Sequence, residues 1–164
     1  MPSHIEDLAR VDGLQTVALK GPDGTAELGT ARPMTSTERL RSLRLAIYAD
    51  VMRGIPPGPV RVAQYALVRP GQDPADRLAR TQALVTRETW NVAMTTFDDT
   101  GMTDPATRPQ LARLYAAIRH GELHGIVATS RTDFSTFHDI YEDALTDIRV
   151  RGGFLALVCD ETTL

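Results

Sequence analysis

The segment "YALVRPGQDPADRLARTQAL", Tyr65 to Leu84, decides the fold because it holds a strand, a turn and the start of a helix. The apolar run "VAQYALV" (62–68) is typical of a strand that is covered on both faces, as in a parallel sheet. Proline and glycine follow in "RPGQDP", and a helix is predicted from about Asp76 to Arg87. A strand that leads directly into a helix is the unit from which α/β folds are built.

The same alternation continues toward the C-terminus. Further strands are predicted at "NVAMTTF" (91–97), "GIVATS" (125–130) and "FLALV" (154–158). Thr107 is expected to cap the helix that follows the second strand, with Pro109 in its first turn. Apolar residues at helical spacing are Leu111, Leu114, Tyr115 and Ile118 in that helix, and Phe137, Ile140, Tyr141, Ala144, Leu145 and Ile148 in the next.

This order of elements predicts an α/β fold with a mainly parallel four-stranded sheet flanked by helices. Residues 58–164 form that domain, and the proline- and glycine-rich "GIPPGP" (54–59) separates it from an N-terminal extension of residues 1–57. In such sheets the functional groups lie in loops beyond the carboxyl ends of the strands, here 69–75, 98–107 and 130–136.

The extension is predicted to contain a β-hairpin around Pro22-Asp23-Gly24 and an amphipathic helix over residues 36–53. Thr35 and Glu38 have the spacing of a capping box at the start of that helix. Its apolar stripe is Leu40, Leu43, Ile47 and Val51, and its arginines are Arg39, Arg41, Arg44 and Arg53. We expect these arginines to form a solvated surface and not a DNA-contacting one.

Composition narrows the functional classes. The 164-residue chain has a net charge of −3, and from Arg61 onward 11 arginines face 14 acidic residues. This balance disfavours duplex DNA as a partner and favours a protein partner or a homo-oligomer. Cys159 is the single cysteine, so neither a disulfide nor a cysteine metal cage is expected. We expect no cofactor, no metal, no membrane partner and a cytoplasmic location.

Three segments together resemble the N-terminal catalytic domain of the serine recombinases, the resolvase and invertase family. They are "YALV", "FDDTGMTD…RPQLARLYAAIRHGELHGIVATS" and "GGFLALV", and the resemblance spans about Arg61 to Thr163. It implies a resolvase-like, three-layer α/β/α fold. It also implies a serine hydroxyl that attacks a DNA phosphodiester, with several arginines binding the developing charge.

The residues that would carry this chemistry are mostly replaced. The family pattern Tyr-x-Arg-x-Ser on the first strand becomes Tyr65, Leu67 and Arg69. Arginine has no nucleophilic oxygen, and Leu67 removes a phosphate-binding guanidinium. The sequence therefore departs from the family at its nucleophile.

The family's second cluster, Ser-x-Asp-Arg-x-x-Arg, departs in the same way. Ser130 is followed by Thr132, Asp133 and Thr136 in the Asp, Arg and Arg places, and a shift by one residue would let Arg131 replace one arginine. The family positions that are retained are Tyr65, Asp99 and Arg108. Family members also continue past the fourth strand with a long dimerisation helix and DNA-binding domains, whereas this sequence ends at "DETTL".

Other chemical patterns are weaker. His120, Glu122 and His124 in "HGELH" suggest a metal site, but Gly121 breaks the helical geometry that two histidines would need. Asp98 and Asp99 follow the second strand and not the first, unlike the acidic pair of a phospho-receiver domain. Ser130 and Ser135 are the alternative nucleophiles, although Ser135 is also well placed to cap the helix at Phe137.

Two functional hypotheses follow. In the first, the chain is a recombinase-like domain that has lost strand-exchange catalysis and acts as a binding or regulatory protein. In the second, it is a divergent serine recombinase with a displaced nucleophile. The missing phosphate-binding groups favour the first hypothesis, in which the chain is not an enzyme. Replacing Ser130 and Ser135 by alanine distinguishes the two, since only a recombinase would lose function.

Overall fold

A computed structural model describes residues 16–20 and 26–163, with side chains from residue 31 onward. The strands are β1 (Thr16–Lys20), β2 (Ala26–Thr30), β3 (Arg61–Leu67), β4 (Asn91–Asp98), β5 (Gly125–Ala128) and β6 (Phe154–Leu157). The helices are α1 (Ser36–Gly54), α2 (Ala75–Glu88), α3 (Pro109–Arg119) and α4 (His138–Val150). None of the helices in this described part is long and apolar enough to cross a membrane.

The α/β region has the predicted architecture. Its sheet has the strand order β4-β3-β5-β6, and every neighbouring pair is parallel. Strands β1 and β2 pair antiparallel in a separate two-stranded sheet, at the position of the predicted hairpin. The alternation of strand and helix in the sequence was sufficient to predict this sheet, because right-handed crossovers leave few other arrangements.

Hydrogen bonds from side chains of β3 show which helices pack on each face of the sheet. Successive strand residues point to opposite faces, and Gln64 donates a hydrogen bond to Gln82 of α2 at 3.0 Å. The next residue, Tyr65, donates to Asp98 on the other face, where Asp98 also contacts the start of α3. Helix α4 packs on both α3 and β6. The sheet is therefore covered by α2 on one face and by α3 and α4 on the other.

Two helix starts differ from the prediction. Thr107 lies in a short 3₁₀ turn and does not cap α3. Instead, the Asp98 carboxylate accepts hydrogen bonds from the backbone N–H groups of Gln110 and Leu111, both at 2.9 Å. Ser135 does accept a hydrogen bond from the Phe137 N–H at 3.0 Å, but α4 begins one residue later. Phe137 was predicted to line α4 and is 63% exposed.

Helix α1 shares the hydrophobic core of the sheet. Its start has the predicted capping box between Thr35 and Glu38. Leu40 and Ile47 are buried, and the Tyr48 ring meets the Phe154 ring of β6 edge-on at 5.0 Å between centroids. Close packing continues along the sheet, where a Cβ at position 125 would lie 2.6 Å from the same Phe154 ring. Burial of apolar area by α1 thus adds directly to the stability of the α/β region.

One of the four arginines of α1 departs from the solvated surface that the sequence predicted: Arg39, Arg41 and Arg53 are exposed, whereas Arg44 is buried. Arg44 and Glu161 form a two-hydrogen-bond ion pair at 2.6 and 2.9 Å, with side chains 7% and 0% exposed. Tyr141 of α4 donates a third hydrogen bond to Glu161 at 2.7 Å. The prediction is wrong for Arg44 because the acidic partner lies 117 residues away, beyond any local pattern. Arg39 and Arg41 pair with Glu142 and Asp160 nearer the surface.

We predict that Arg44→Ala lowers the free energy of unfolding by about 3 kcal/mol, because it leaves the Glu161 carboxylate buried without its cation. The matched control is Arg41→Ala, which breaks a partly exposed pair and should cost about 1 kcal/mol or less. Urea denaturation followed by circular dichroism measures both. If both variants lost the same free energy of unfolding, the buried ion pair would contribute no more to stability than the partly exposed one.

Candidate functional site

The carboxyl ends of β3 and β5 meet at the buried carboxylate of Asp133. Its Oδ1 accepts hydrogen bonds from the Leu67 N–H at 3.0 Å and from Arg77 Nε at 2.9 Å. Its Oδ2 accepts from Arg77 Nη2 at 2.9 Å and from the N–H groups of Thr129 and Ser130 at 3.0 and 3.2 Å. One side chain therefore joins two strand ends to α2.

Arg77 is the cation of this arrangement. It lies near the start of α2, is one-third exposed, and binds Asp133 through two nitrogen atoms. The Thr129 hydroxyl donates to its backbone carbonyl at 3.1 Å, which ties α2 to the end of β5 a second time. Sequence reasoning did not single out Arg77, because the family pattern has no acidic residue at position 133 that would need a partner.

Arg108, one of the retained family positions, is completely buried. Its Nη1 donates to the Asp133 carbonyl at 2.6 Å, and its Nη2 donates to the carbonyls of Thr103 and Phe134 at 2.6 and 2.7 Å. Nη1 also lies 3.4 Å from the Tyr65 hydroxyl. No carboxylate pairs with Arg108 within the part of the chain that the structure describes, so backbone dipoles compensate its charge.

Tyr65 and Asp98 complete the interior of the site. The Tyr65 hydroxyl donates to Asp98 Oδ2 at 3.0 Å, and burial raises the pKa of Tyr65, so the hydroxyl keeps its proton. Asp98 is 2% exposed, whereas Asp99, the retained family position, is exposed. The residue that holds the site together at the end of β4 is thus Asp98. Its position as the last residue of β4, at the carboxyl edge of the sheet, was the signal that could have identified it.

Arg131, which a one-residue shift would place in the family's arginine position, is also engaged internally. Its guanidinium lies 4.7 Å from the centre of the Tyr141 ring. Nε and Nη2 donate to the carbonyls of Ser135 and Thr136, both at 3.2 Å, and Nη1 lies 3.0 Å from His138 Nδ1. The side chain is 9% exposed. These hydrogen bonds hold the turn that leads into α4.

The two alternative serine nucleophiles differ in accessibility. Ser135 is 3% exposed, and its hydroxyl accepts the Phe137 N–H. Ser130 is half-buried, with its Oγ 2.6 Å from the Oγ1 of the exposed Thr132. Neither hydroxyl hydrogen-bonds to a histidine or carboxylate side chain among the described residues, although a nucleophilic serine needs such a base.

The remaining family positions differ in burial. Leu67 is 8% exposed and belongs to the hydrophobic core. Arg69 and Thr136 are exposed, and the Arg69 N–H donates to the Gln72 side chain at 3.1 Å. Unlike the buried Arg108 and Arg131, Arg69 thus exposes its guanidinium group to solvent. It stands where the family has its nucleophile.

The histidine pattern does not form a metal site within the described residues, which hold no cluster of three or more metal-binding side chains. His120 is exposed at the end of α3. His124 accepts a hydrogen bond from the Arg61 N–H through Nδ1 at 2.9 Å. Burial, together with the Arg61 charge, lowers the pKa of His124 and favours this neutral acceptor form.

We predict that Asp133→Asn lowers the free energy of unfolding by about 3 kcal/mol, because the amide removes the ionic acceptor for Arg77 and turns N–H groups toward backbone N–H donors. Asp99→Asn is the matched control at the exposed neighbouring loop and should leave the urea midpoint nearly unchanged. An Asp133→Asn protein as stable as this control would rule out the carboxylate as the joint between the strands.

Comparisons with solved structures identify proteins with a similar fold. No family model matches the chain, and no curated protein matches its sequence. Among solved structures, it is similar to the C-terminal catalytic domain of ISC1926 TnpA, an IS607-like serine recombinase. The TM-score is 0.55 and the identity 15%, over 63% of this chain and 73% of that one.

The N-terminal catalytic domain of TP901-1 integrase is similar as well. Its TM-score is 0.53 and its identity 17%, with 60% of this chain and 76% of that chain covered. At these identities the likeness concerns the fold. It agrees with the sheet order and the helix layers described above, and it confirms the expectation from the sequence. The α/β region of this protein has the resolvase-like fold of the serine recombinase catalytic domains.

Proposed function

We propose that this chain is a recombinase-like domain that has lost DNA strand-exchange catalysis and acts by binding another macromolecule. The observation that carries the proposal is the engagement of Arg77, Arg108 and Arg131 by internal acceptors. Phosphoryl transfer needs donors that are aimed at the phosphate oxygens before the reaction begins. Donors that already bind carbonyls and a carboxylate do not meet this requirement.

Releasing these arginines would be costly. To reach a phosphate, Arg108 would have to leave three backbone carbonyls, of which those of Asp133 and Phe134 are buried with it. Each unpaired buried acceptor costs about 1–3 kcal/mol. Asp133 adds a negative charge at the centre of the same cluster, which would repel an incoming phosphate. These two effects act together against binding of a DNA phosphodiester at this edge of the sheet.

The residues that would attack a phosphate also support this proposal. Arg69 occupies the family's serine position and has no nucleophilic oxygen. Ser135 is buried beneath the turn before α4. Ser130 is the more accessible hydroxyl, and it carries the second candidate function, a divergent recombinase with a displaced nucleophile. That candidate needs a base for Ser130, and no histidine or carboxylate side chain among the described residues hydrogen-bonds to the Ser130 hydroxyl.

The exposed surface at this edge favours a protein partner over DNA. Three large apolar side chains stand in solvent beside the strand ends: Phe97, Met102 and Phe137 are 39%, 51% and 63% exposed. Apolar side chains of this size are typical of protein contacts, whereas a DNA-binding face is usually dominated by Lys and Arg. The net charge of −3 points the same way.

The decisive experiment is covalent capture on a nicked suicide duplex DNA, combined with fluorescence anisotropy on random duplex at low and physiological salt. We expect no phosphoserine adduct by mass spectrometry and no binding that weakens steeply with salt. The control is Ser130→Ala, which should behave like the unmodified chain. An adduct that is present in the unmodified chain and lost in Ser130→Ala would instead identify a divergent recombinase.

A further inference from the structure

Strand β4 is an outer strand of the sheet, and one of its sides is open. It pairs with β3, and no further strand lies beyond it in the part of the sheet that the structure describes. The opposite outer strand, β6, is covered, because α1 packs against it and all four of its residues are buried. Along β4, exposed and half-buried residues alternate from Asn91 to Phe97. The α/β region therefore has an accessible edge at β4.

The backbone groups on this edge can be assigned to particular residues. The Asp98 carbonyl accepts a hydrogen bond from the Val68 N–H at 3.0 Å, and the β3–β4 register is regular from Met94 to Asp98. The N–H and C=O groups of successive residues point to opposite sides of a strand. Those of Thr95 and Phe97 therefore point away from β3. Each of these two residues presents a backbone donor and a backbone acceptor at the open edge.

The edge lacks the protection that outer strands usually have. Natural outer strands carry charged side chains, proline or a covering segment, which prevent another strand from adding. Residues 91–97, "NVAMTTF", contain neither a charge nor a proline, and the charged residue that ends β4, Asp98, is buried. The irregularity in the β3–β4 register lies at Val62 and Ala63, so it leaves the later residues of β4 regularly paired. This strand is suited to accept a neighbour.

A cavity of about 500 Å³ lies between the start of β4 and α3. Met94, Ala117 and Leu123 give it an apolar lining. The side chains of an added strand would alternate between the two faces of the sheet. On the α3 face they would enter this cavity, and on the α2 face they would lie beside Thr95, whose hydroxyl donates to Gln64 at 2.8 Å. Strand addition commonly obtains its specificity from such a side-chain pocket.

Arg113 adds a positive charge beside the cavity. Its Nη1 donates to the Gln110 side-chain oxygen at 2.8 Å, and the same oxygen accepts from the Thr96 hydroxyl of β4 at 3.1 Å. The guanidinium is thus held next to β4, and no carboxylate pairs with it among residues 31–163. Glu122 also lines the cavity, but at the amino edge of the sheet, where its carbonyl accepts from Arg61 at 3.1 Å.

We propose that β4 binds an extended segment of a partner protein, which adds to the sheet as a further strand and places an acidic side chain at Arg113. A strand is the element whose row of N–H and C=O groups matches those of Thr95 and Phe97. An apolar side chain of the segment fills the cavity. Its carboxylate supplies the ion-pair partner that Arg113 lacks within the described residues.

A foreign segment suits this edge better than a second copy of β4 does. Residues 91–97 hold no acidic side chain, so pairing of β4 with another β4 brings no carboxylate to Arg113. The inference rests on the part of the proposed function that gives the chain a protein partner, and it names the class of that partner. It does not depend on the loss of catalysis. A chain that binds such a segment and also forms a DNA adduct would keep this inference and overturn the proposed function.

The test is selection from a display library of random short peptides on the immobilised full chain, followed by fluorescence anisotropy of the selected peptides. We expect peptides that alternate β-branched or apolar residues and share an acidic residue. Thr95→Pro should weaken their binding about tenfold or more, because proline removes the outward N–H and is tolerated on an outer strand. Thr95→Val loses the same hydroxyl but keeps the N–H, so it should lose far less affinity.

Charge reversal tests the second half of the proposal. A selection repeated on Arg113→Glu should replace the shared acidic residue by a basic one. Arg80→Glu is the matched control, since it makes the same reversal at an exposed position of α2 outside the cavity, and it should select the same peptides as the unmodified chain. Circular dichroism should show that all variants are folded.

Hydrogen exchange followed by NMR locates the bound peptide, which should slow the exchange of the Thr95 and Phe97 amide protons. A library without an enriched peptide would overturn the proposal, and so would a bound peptide that leaves these two amides exchanging as in the peptide-free chain. Self-association that Thr95→Pro abolishes would assign the edge to a second copy and would overturn it as well.

Discussion

Five hydrogen bonds converge on the carboxylate of Asp133, and the arrangement of the strand ends depends on them. A buried carboxylate is stable only when its charge and its lone pairs are satisfied, which fixes the position of every donor around it. The donors come from the end of β3, the start of α2 and the end of β5. In a sheet held together in this way, the edge that commonly carries chemistry in α/β folds serves as a structural joint.

The same joint stabilises the resolvase-like fold without the side chains that the recombinase pattern has on β3 and after β5. Arg108 is retained and holds three carbonyls around the Asp133 turn, a role that does not depend on a substrate. Tyr65 is retained and connects β3 to the Asp98 carboxylate that begins α3. Both residues therefore contribute to stability here. Retention of a family residue is not, by itself, a sign of retained catalysis, because a buried arginine or tyrosine can be required by packing alone.

The sequence predicted the α/β sheet and its helices well, because apolar periodicity and turn residues are local signals. It did not predict which polar side chains would meet. Asp133 and Arg77 lie 56 residues apart, and Arg44 and Glu161 lie 117 apart, so no spacing rule connects them. The start of α3 was assigned to a neighbouring threonine for the same reason, since local capping rules do not include a carboxylate that arrives from the end of a strand.

If the arginines at the strand ends are closed to an incoming phosphate, their guanidinium groups should be protected from solvent. The most direct measurement is the solvent exchange of arginine Nε–H groups by nitrogen-15 NMR, with and without inorganic phosphate. We predict slow exchange for Arg77 and Arg131 and no phosphate-induced shift, whereas the exposed Arg69 should exchange fast and serve as the internal reference. Fast exchange at Arg77 and Arg131, or shifts of their signals as phosphate is added, would contradict the closed arrangement.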